Sequence, residues 1–463
     1  MVWKKLFQIS LIIVFFMATL PAGCGTRPGL DAMDAEVDAS PPMPCGNNEW
    51  TEPGSPWPMY MGCPERRSRS AAVGPATPDN IRYIGEVSRY NETEEWYLDN
   101  MSLDGPVIAS NGTLYIGSSR YYYDSEATWD FYWSQQILAF DPDGSERLIY
   151  ETELIEVDYT NDPVPAWPPE GLTISPVGHI YFPVTSEDPE NPHSGGGMII
   201  YAFDKEGGTA FQSLLYLRWH KILGPDGVFY ANEPVTEDNK YLVALAHDTT
   251  ELWRFNTGNS FASSIAIDPQ GRIYFFLPNY GYADNYVSLL ALQSDGSLLW
   301  KKRVADFTGS KLSIGDNGNL YFFAGERNDD PSSEYSLYAY SPDGDFLWSH
   351  PVDGRPGRSL AIGPGGMVVG GSEGVVYAFS PDGNLLWTYE AEEKLPPGGG
   401  GLPAIDGEGT TYIRMSGLHA IRRDGTLKWR AEVGGGLWQA VVIGADGTLY
   451  LSCGDKGLCV IEH

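Results

Sequence analysis

The chain has 463 residues, a length that would allow two or three domains, and a formal net charge of -31. A surface this acidic repels nucleic-acid phosphates and anionic lipid headgroups, which excludes both as partners recognised through charge. Its five cysteines show no CxxC spacing and no CxxCH haem site.

Met1 to Lys5 carries two lysines, and an apolar stretch from Leu6 to Leu20 follows. This is a charged n-region and an apolar segment too short to span a bilayer by itself. Leu20-Pro21-Ala22-Gly23-Cys24 resembles a bacterial lipobox, in which Cys24 is diacylated and becomes the new N-terminus. Residues 1–23 are then a lipoprotein signal peptide, and the expected product is exported and held to a membrane, the outer one, by lipid alone. Residues 24–48 are acidic and rich in Ala and Pro, bury too little apolar surface to fold, and read as a flexible tether. Four cysteines remain, Cys45, Cys63, Cys453 and Cys459. An even number in an exported chain suggests disulfides, and proximity favours Cys45–Cys63 and Cys453–Cys459 among the three possible pairings.

From residue 49 onward one phrase recurs, cleanest at Gly365 to Trp387: GGMVVGGSEGVVYAFSPDGNLLW. Short β-rich runs separated by Gly and Asp-Gly read as antiparallel strands joined by hairpins. The Gly-x-x-Tyr run appears at Gly112, Gly178, Gly227, Gly271, Gly318, Gly409 and Gly447 as well, which makes eight copies. Most lie roughly 40 to 50 residues apart, a period typical of propeller blades. The runs are apolar on both alternations, as expected where a blade packs between two neighbours. The last copy supplies only three runs, whereas Ile81 to Val87 is a spare fourth run at the other end. The reading is an all-β, eight-bladed β-propeller of four-stranded antiparallel blades, residues 49–463, closed by an N-terminal strand that completes the C-terminal blade. In five copies a Trp follows the turn Asp at a fixed distance (Trp253, Trp300, Trp348, Trp387 and Trp429), a placement suited to packing between blades.

The copies at 337–348 (LYAYSPDGDFLW) and 376–387 (VYAFSPDGNLLW) resemble PQQ-type propeller repeats, and Trp57-Pro-Met-Tyr60 resembles the start of such domains. The likeness runs from about residue 55 to the end, with a turn one residue shorter than the family pattern. Members with eight blades include quinone-dependent dehydrogenases and the non-enzymatic lipoprotein of the outer-membrane β-barrel assembly machinery. The dehydrogenases need PQQ with Ca²⁺, and several use a vicinal disulfide beside it. Here no two cysteines are adjacent and no carboxylate-rich segment stands out, so no cofactor is expected.

Other motifs weigh little. Gly370 to Gly374 matches GxSxG, but it lies in a tight hairpin rather than the strand-to-helix turn of a nucleophile elbow. The seven histidines are scattered without HxH or HxxxH pairs, so no metal site is expected. The loops between second and third runs are more informative. They turn tightly in copies six to eight but carry insertions in copies one to five: Ser118–Gln135, Thr185–Gly197, Asn232–Lys240, Pro278–Tyr286 and Gly325–Glu334. Long loops on one face of a rigid ring are where binding resides. The first insertion holds Tyr121, Tyr122, Tyr123, Trp129, Phe131, Tyr132 and Trp133, the main candidate contact; Tyr280, Tyr282 and Tyr286 of the fourth are secondary candidates. The expected function is a non-enzymatic envelope scaffold that binds a protein or a glycan. The competing class is an enzyme, quinone-dependent or active on a polysaccharide. A convergent acid–base cluster in the ring's channel would mark the enzyme, and an empty, uncharged channel with an aromatic rim would mark the scaffold.

Overall fold

Each Gly-x-x-Tyr begins at a tight turn that only glycine makes without strain. At Gly271 (φ 79°) the turn is closed by Gly271 N–H to Asp268 O at 2.8 Å and by Asp268 N–H to Arg272 O at 3.0 Å. The residues that follow are β-branched and aromatic and pass into strand.

The structure, a computed structural model, describes residues 55–463 apart from 58, 60, 64, 86–95, 102–104, 124–130, 153–154, 158–170, 187–196, 213–217, 225–226, 235–238, 247–249, 280–284, 326–333, 393–394, 396–400, 435–439 and 454–455. The signal segment, Cys24, the tether and Cys45 therefore lie outside the described residues.

Eight antiparallel sheets make eight blades: 1 (107–151), 2 (173–212), 3 (218–258), 4 (263–305), 5 (313–352), 6 (356–390), 7 (404–431) and 8 (442–462 with 80–84). The first strands of blades 3 to 7 touch in succession, and Leu402 bridges Ala440 between blades 7 and 8, so the first strands line the axis. Closure is as the sequence implies. Asn80–Ile84 pairs with Leu458–Glu462 in unbroken register, from Asn80 opposite Glu462 to Ile84 opposite Leu458. Cys453 and Cys459 are joined, with Cα atoms 5.7 Å apart. Among the described residues no helix is long and apolar enough to cross a membrane.

The expectation that every run is apolar on both sides holds for second and third strands, where Ile273, Tyr274, Phe275 and Phe276 are all fully buried. It fails for the fourth. Leu298 and Phe346 are 50% and 55% exposed, because the outermost strand stands where neighbouring blades fan apart.

The five tryptophans sit on fourth strands, each opposite a small third-strand residue: Ala244, Ala291, Ala339, Ala378 and Ala420. Every indole N–H then reaches a carbonyl on the following blade. Trp253 donates to Ser294 (2.8 Å), Trp300 to Pro342 (3.0 Å), Trp348 to Pro381 (2.9 Å) and Trp387 to Arg423 (2.7 Å). Blade 8 offers no such turn, because its last strand comes from the start of the domain. Trp429 donates instead to Pro75 at 2.9 Å, just before that strand. The tryptophans are thus joints between blades, as their spacing suggests, and four of them, Trp253, Trp300, Trp348 and Trp429, also lean on a Gly-x-x-Tyr tyrosine (Tyr274–Trp300, 6.0 Å between centroids).

The joint also requires glycine in the receiving turn. Gly344 has φ 82°, and a Cβ there would lie 2.8 Å from the Trp300 ring; Gly144 has φ 85° but open space around it. Blade 8, which precedes it, presents Arg82 opposite Val460, and that side chain is engaged with Glu462. Gly144→Ala is therefore expected to cost ~1–2 kcal/mol from backbone strain alone, and Gly344→Ala about 3 kcal/mol because ring displacement is added. Equal losses in denaturant unfolding would show that the ring contact contributes nothing.

Candidate functional site: the filled channel and the raised face

Residues 57–75 do more than lead into the repeats. They run through the channel and visit one first strand after another. Trp57 O accepts from Ile108 N in blade 1 (2.8 Å), and Met59 bridges Thr173 in blade 2. Arg66 Nε donates to Ile265 O in blade 4, and Glu65 O accepts from Ile314 N in blade 5 (2.9 Å). Arg67 O accepts from Ile362 N in blade 6 (2.8 Å), Ser68 O from Ile405 N in blade 7 (2.9 Å), and Ala72 O from Gly407 N (2.8 Å). First strands at the axis have no inner neighbour, so their backbone groups need partners, and this segment supplies them. Trp57, Met59, Met61 and Cys63 are buried along it, as are Glu65, Arg66, Arg67 and Arg69. Cys63's expected partner, Cys45, is outside the described residues.

The charges in the channel hold the segment. Arg69 Nη1 and Nη2 donate to the Asp316 carboxylate at 2.8 and 3.0 Å, and Arg67 Nη1 donates to it at 2.7 Å. Asp316 belongs to the turn after the first strand of blade 5. Burial works to raise its carboxyl, but the Arg69 hydrogen bond and the charges of Arg69 and Arg67 outweigh this and hold it below the usual carboxylate range. The channel is therefore neither empty nor uncharged, and its carboxylates face arginines rather than a convergent acid–base cluster. A pH dependence follows. A carboxyl whose pKa is depressed on folding stabilises the fold above its unfolded value, about 3.9, and that contribution is lost as pH falls through the lower folded value. Resistance to urea is expected to decline below pH ~4, and Asp316→Asn to flatten that part of the profile. Identical profiles for the two proteins would remove Asp316 from the account.

The sequence offered one unused signal for the segment. In a chain with 30 basic against 61 acidic residues, Arg66, Arg67 and Arg69 stand together among Trp, Met and Cys. Such a run is out of place on a solvated lead-in.

Antiparallel order puts the hairpins between second and third strands on the same face as the connections between blades. The first insertion on that face is mostly strand rather than loop. Leu114–Tyr123 and Phe131–Phe140 are 10 residues each, against 4 each for Thr411–Arg414 and Leu418–Ile421 in blade 7. Tyr121 lies opposite Trp133, Tyr122 opposite Tyr132 and Tyr123 opposite Phe131. Two further strands flank this ladder. Trp96–Met101 places Trp96 opposite Tyr122 and Tyr97 opposite Tyr121, and Ile155–Val157 places Ile155 opposite Trp133. Reading the stretch as a loop underestimated the β preference of consecutive Tyr, Phe and Trp. Trp96 and Tyr97 were missed, although an aromatic pair after an acidic run was visible.

Trp129, Tyr280 and Tyr282 lie outside the described residues. Tyr286 begins the third strand of blade 4, half-buried with the Arg303 guanidinium 4.8 Å from its ring centroid, three blades away from the ladder. Ser372 of the GxSxG match ends a strand and donates to Asp353 O at 2.6 Å, fully buried in the tight hairpin expected of it. His419 is buried against the Tyr389 hydroxyl (2.9 Å), and no cluster suited to a metal ion occurs among the described residues.

Residues 372–463, from the second hairpin of blade 6 to the end, match the model of a PQQ-repeat family described as outer membrane protein assembly factor BamB. Over those residues the repeats are similar to PQQ-type propeller repeats. Among solved structures, the Dos1 propeller is 12% identical with a TM-score of 0.51, over 83% of this chain and 94% of that one. The β-propeller domain of the trilobed protease from Pyrococcus furiosus is 12% identical with a TM-score of 0.38, over 73% of this chain and 91% of that one. At such identity the Dos1 likeness shows the fold alone. No curated protein matches the chain.

Proposed function

We propose that this chain is a non-enzymatic binding scaffold of the bacterial cell envelope, exported and anchored to the outer membrane through lipid on Cys24. One observation carries the reading: the channel, the largest concavity a propeller offers, is taken up by the chain's own residues 57–75. Binding is left to the raised face, where the blade 1 ladder stands above the ring. The match of the last blades to a family described as an assembly factor favours a protein partner over a glycan.

Phe131 and Trp133, together with Trp129, make the main contact in this reading, with Tyr121, Tyr122, Tyr123 and Tyr132 around them and Tyr280, Tyr282 and Tyr286 secondary. The test is a triple alanine variant of Trp129, Phe131 and Trp133, crosslinked in the native envelope. Loss of the partner with an unchanged melting temperature supports the contact. A drop of many degrees with the partner retained means the rings are core, and the reading ends there. Incubation with PQQ and Ca²⁺ is expected to leave no stoichiometric chromophore and no dye reduction with alcohols or sugars; either signal would restore the enzyme reading.

A further inference from the structure

Asn232 and Arg414 hold the same place in their blades, two residues after the tyrosine of Gly-x-x-Tyr, and both reach the connection that leaves for the next blade. Asn232 does so as a neutral amide. Its Nδ2 donates to Ala262 O at 2.8 Å and its Oδ1 accepts from Ala262 N at 2.9 Å. Arg414 Nη2 donates to the carbonyls of Val433 (3.1 Å) and Gly434. Blade 3 thus shows that clipping the connection requires no charge.

Arg414 nevertheless brings one. Its side chain is 2% exposed, and Nη1 has no hydrogen-bond partner among the described residues. No described carboxylate pairs with it; the nearby Glu432 is engaged by Arg430 at 2.8 Å. Burial pushes the guanidinium pKa down to about 10, so it remains charged at neutral pH. A guanidinium has five N–H donors and no acceptor, and a buried one met only by carbonyl oxygens lacks the countercharge that burial calls for. A Cβ at Gly401 would come within 2.3 Å of the Arg414 carbonyl, and one at Gly434 within 2.9 Å of the Cys453 carbonyl, so bare backbone packs close here.

We propose that Arg414 anchors a small anionic group, a carboxylate or a phosphate, between blades 7 and 8, with the unpartnered Nη1 as its donor. This site is independent of the blade 1 ladder and stands or falls apart from it. The chain's net charge of -31 disfavours non-specific anion binding, which makes a saturable response diagnostic.

The test titrates the full chain with inorganic phosphate, and separately with acetate, at constant ionic strength, following thermal unfolding and heat of binding. The wild type is expected to bind one equivalent of at least one ion and to melt higher in a saturable manner. Arg414→Gln, which keeps a donor for the two carbonyls, should fold and bind at least tenfold more weakly; Arg414→Lys should retain part of the response. Phosphate without acetate assigns a phosphate-bearing ligand, and acetate assigns a carboxylate. Absence of saturable binding in the wild type, equal affinity in Arg414→Gln, or failure of Arg414→Gln to fold would each overturn the proposal, the last because a neutral clip would then not suffice.

Discussion

A chain lacking residues 78–90 is expected to lose cooperative unfolding altogether. The deletion removes Asn80–Ile84 and with it every partner of Leu458–Glu462 on that side, five paired positions in register. Blade 8 is left with an open edge whose Val460 and Ile461 are fully buried in the intact ring. The exposed edge is a template for pairing with other chains. The loss spreads to the joint as well, because Trp429 docks on Pro75 immediately ahead of the deleted strand. Opening a ring of blades exposes two blade faces at once, so the effect exceeds the loss of one strand. Calorimetry or denaturant unfolding should show a broad, low transition with aggregation. A truncated protein that melts cooperatively at the parent temperature would refute closure.

Arg69→Met is expected to cost ~3–5 kcal/mol, the range for removing one member of a buried ion pair. Arg69 is 2% exposed, donates twice to Asp316 and touches Gly363 O at 3.4 Å, while its backbone bridges Ile405. Methionine replaces the stem but withdraws both Arg69 donors from Asp316, leaving Arg67 as the carboxylate's remaining arginine partner. Asp316→Asn should cost much less, because that side chain is 41% exposed and water can take over part of its role. Denaturant midpoints of the two variants decide the matter. Equal and small losses would mean that the channel segment is held by its backbone bonds alone.

Much of the ring is legible in the sequence. Gly-x-x-Tyr marks the second strand in every blade but one, since the turn before it needs a positive φ and the strand after it needs β formers. Trp300 and its counterparts could be assigned to packing because one large ring at one repeated position serves a repeated interface. Closure by Ile81 followed from a missing run at one end and a spare at the other, and the Cys453–Cys459 bond from two cysteines across a short hairpin. These are local or periodic signals, and periodicity survives in sequence however the blades are arranged.

The channel and the face were decided only by tertiary structure. Residues 57–75 have no periodicity, and their partners are single backbone groups on six blades, scattered from Ile108 to Gly407. The blade 1 ladder needed its flanking strands to show that Tyr121 and Trp133 are paired sheet positions with Tyr97 and Ile155 beside them. Arg414 reads as one more basic residue until folding shows that it is sealed between two blades with Val433 and Gly434 as its hydrogen-bond partners. The chain itself determined the repeat, because strand, turn and joint depend on neighbours a few residues away. What fills the axis and what lies unpaired between blades depends on which distant backbone groups the closed ring brings within hydrogen-bond reach.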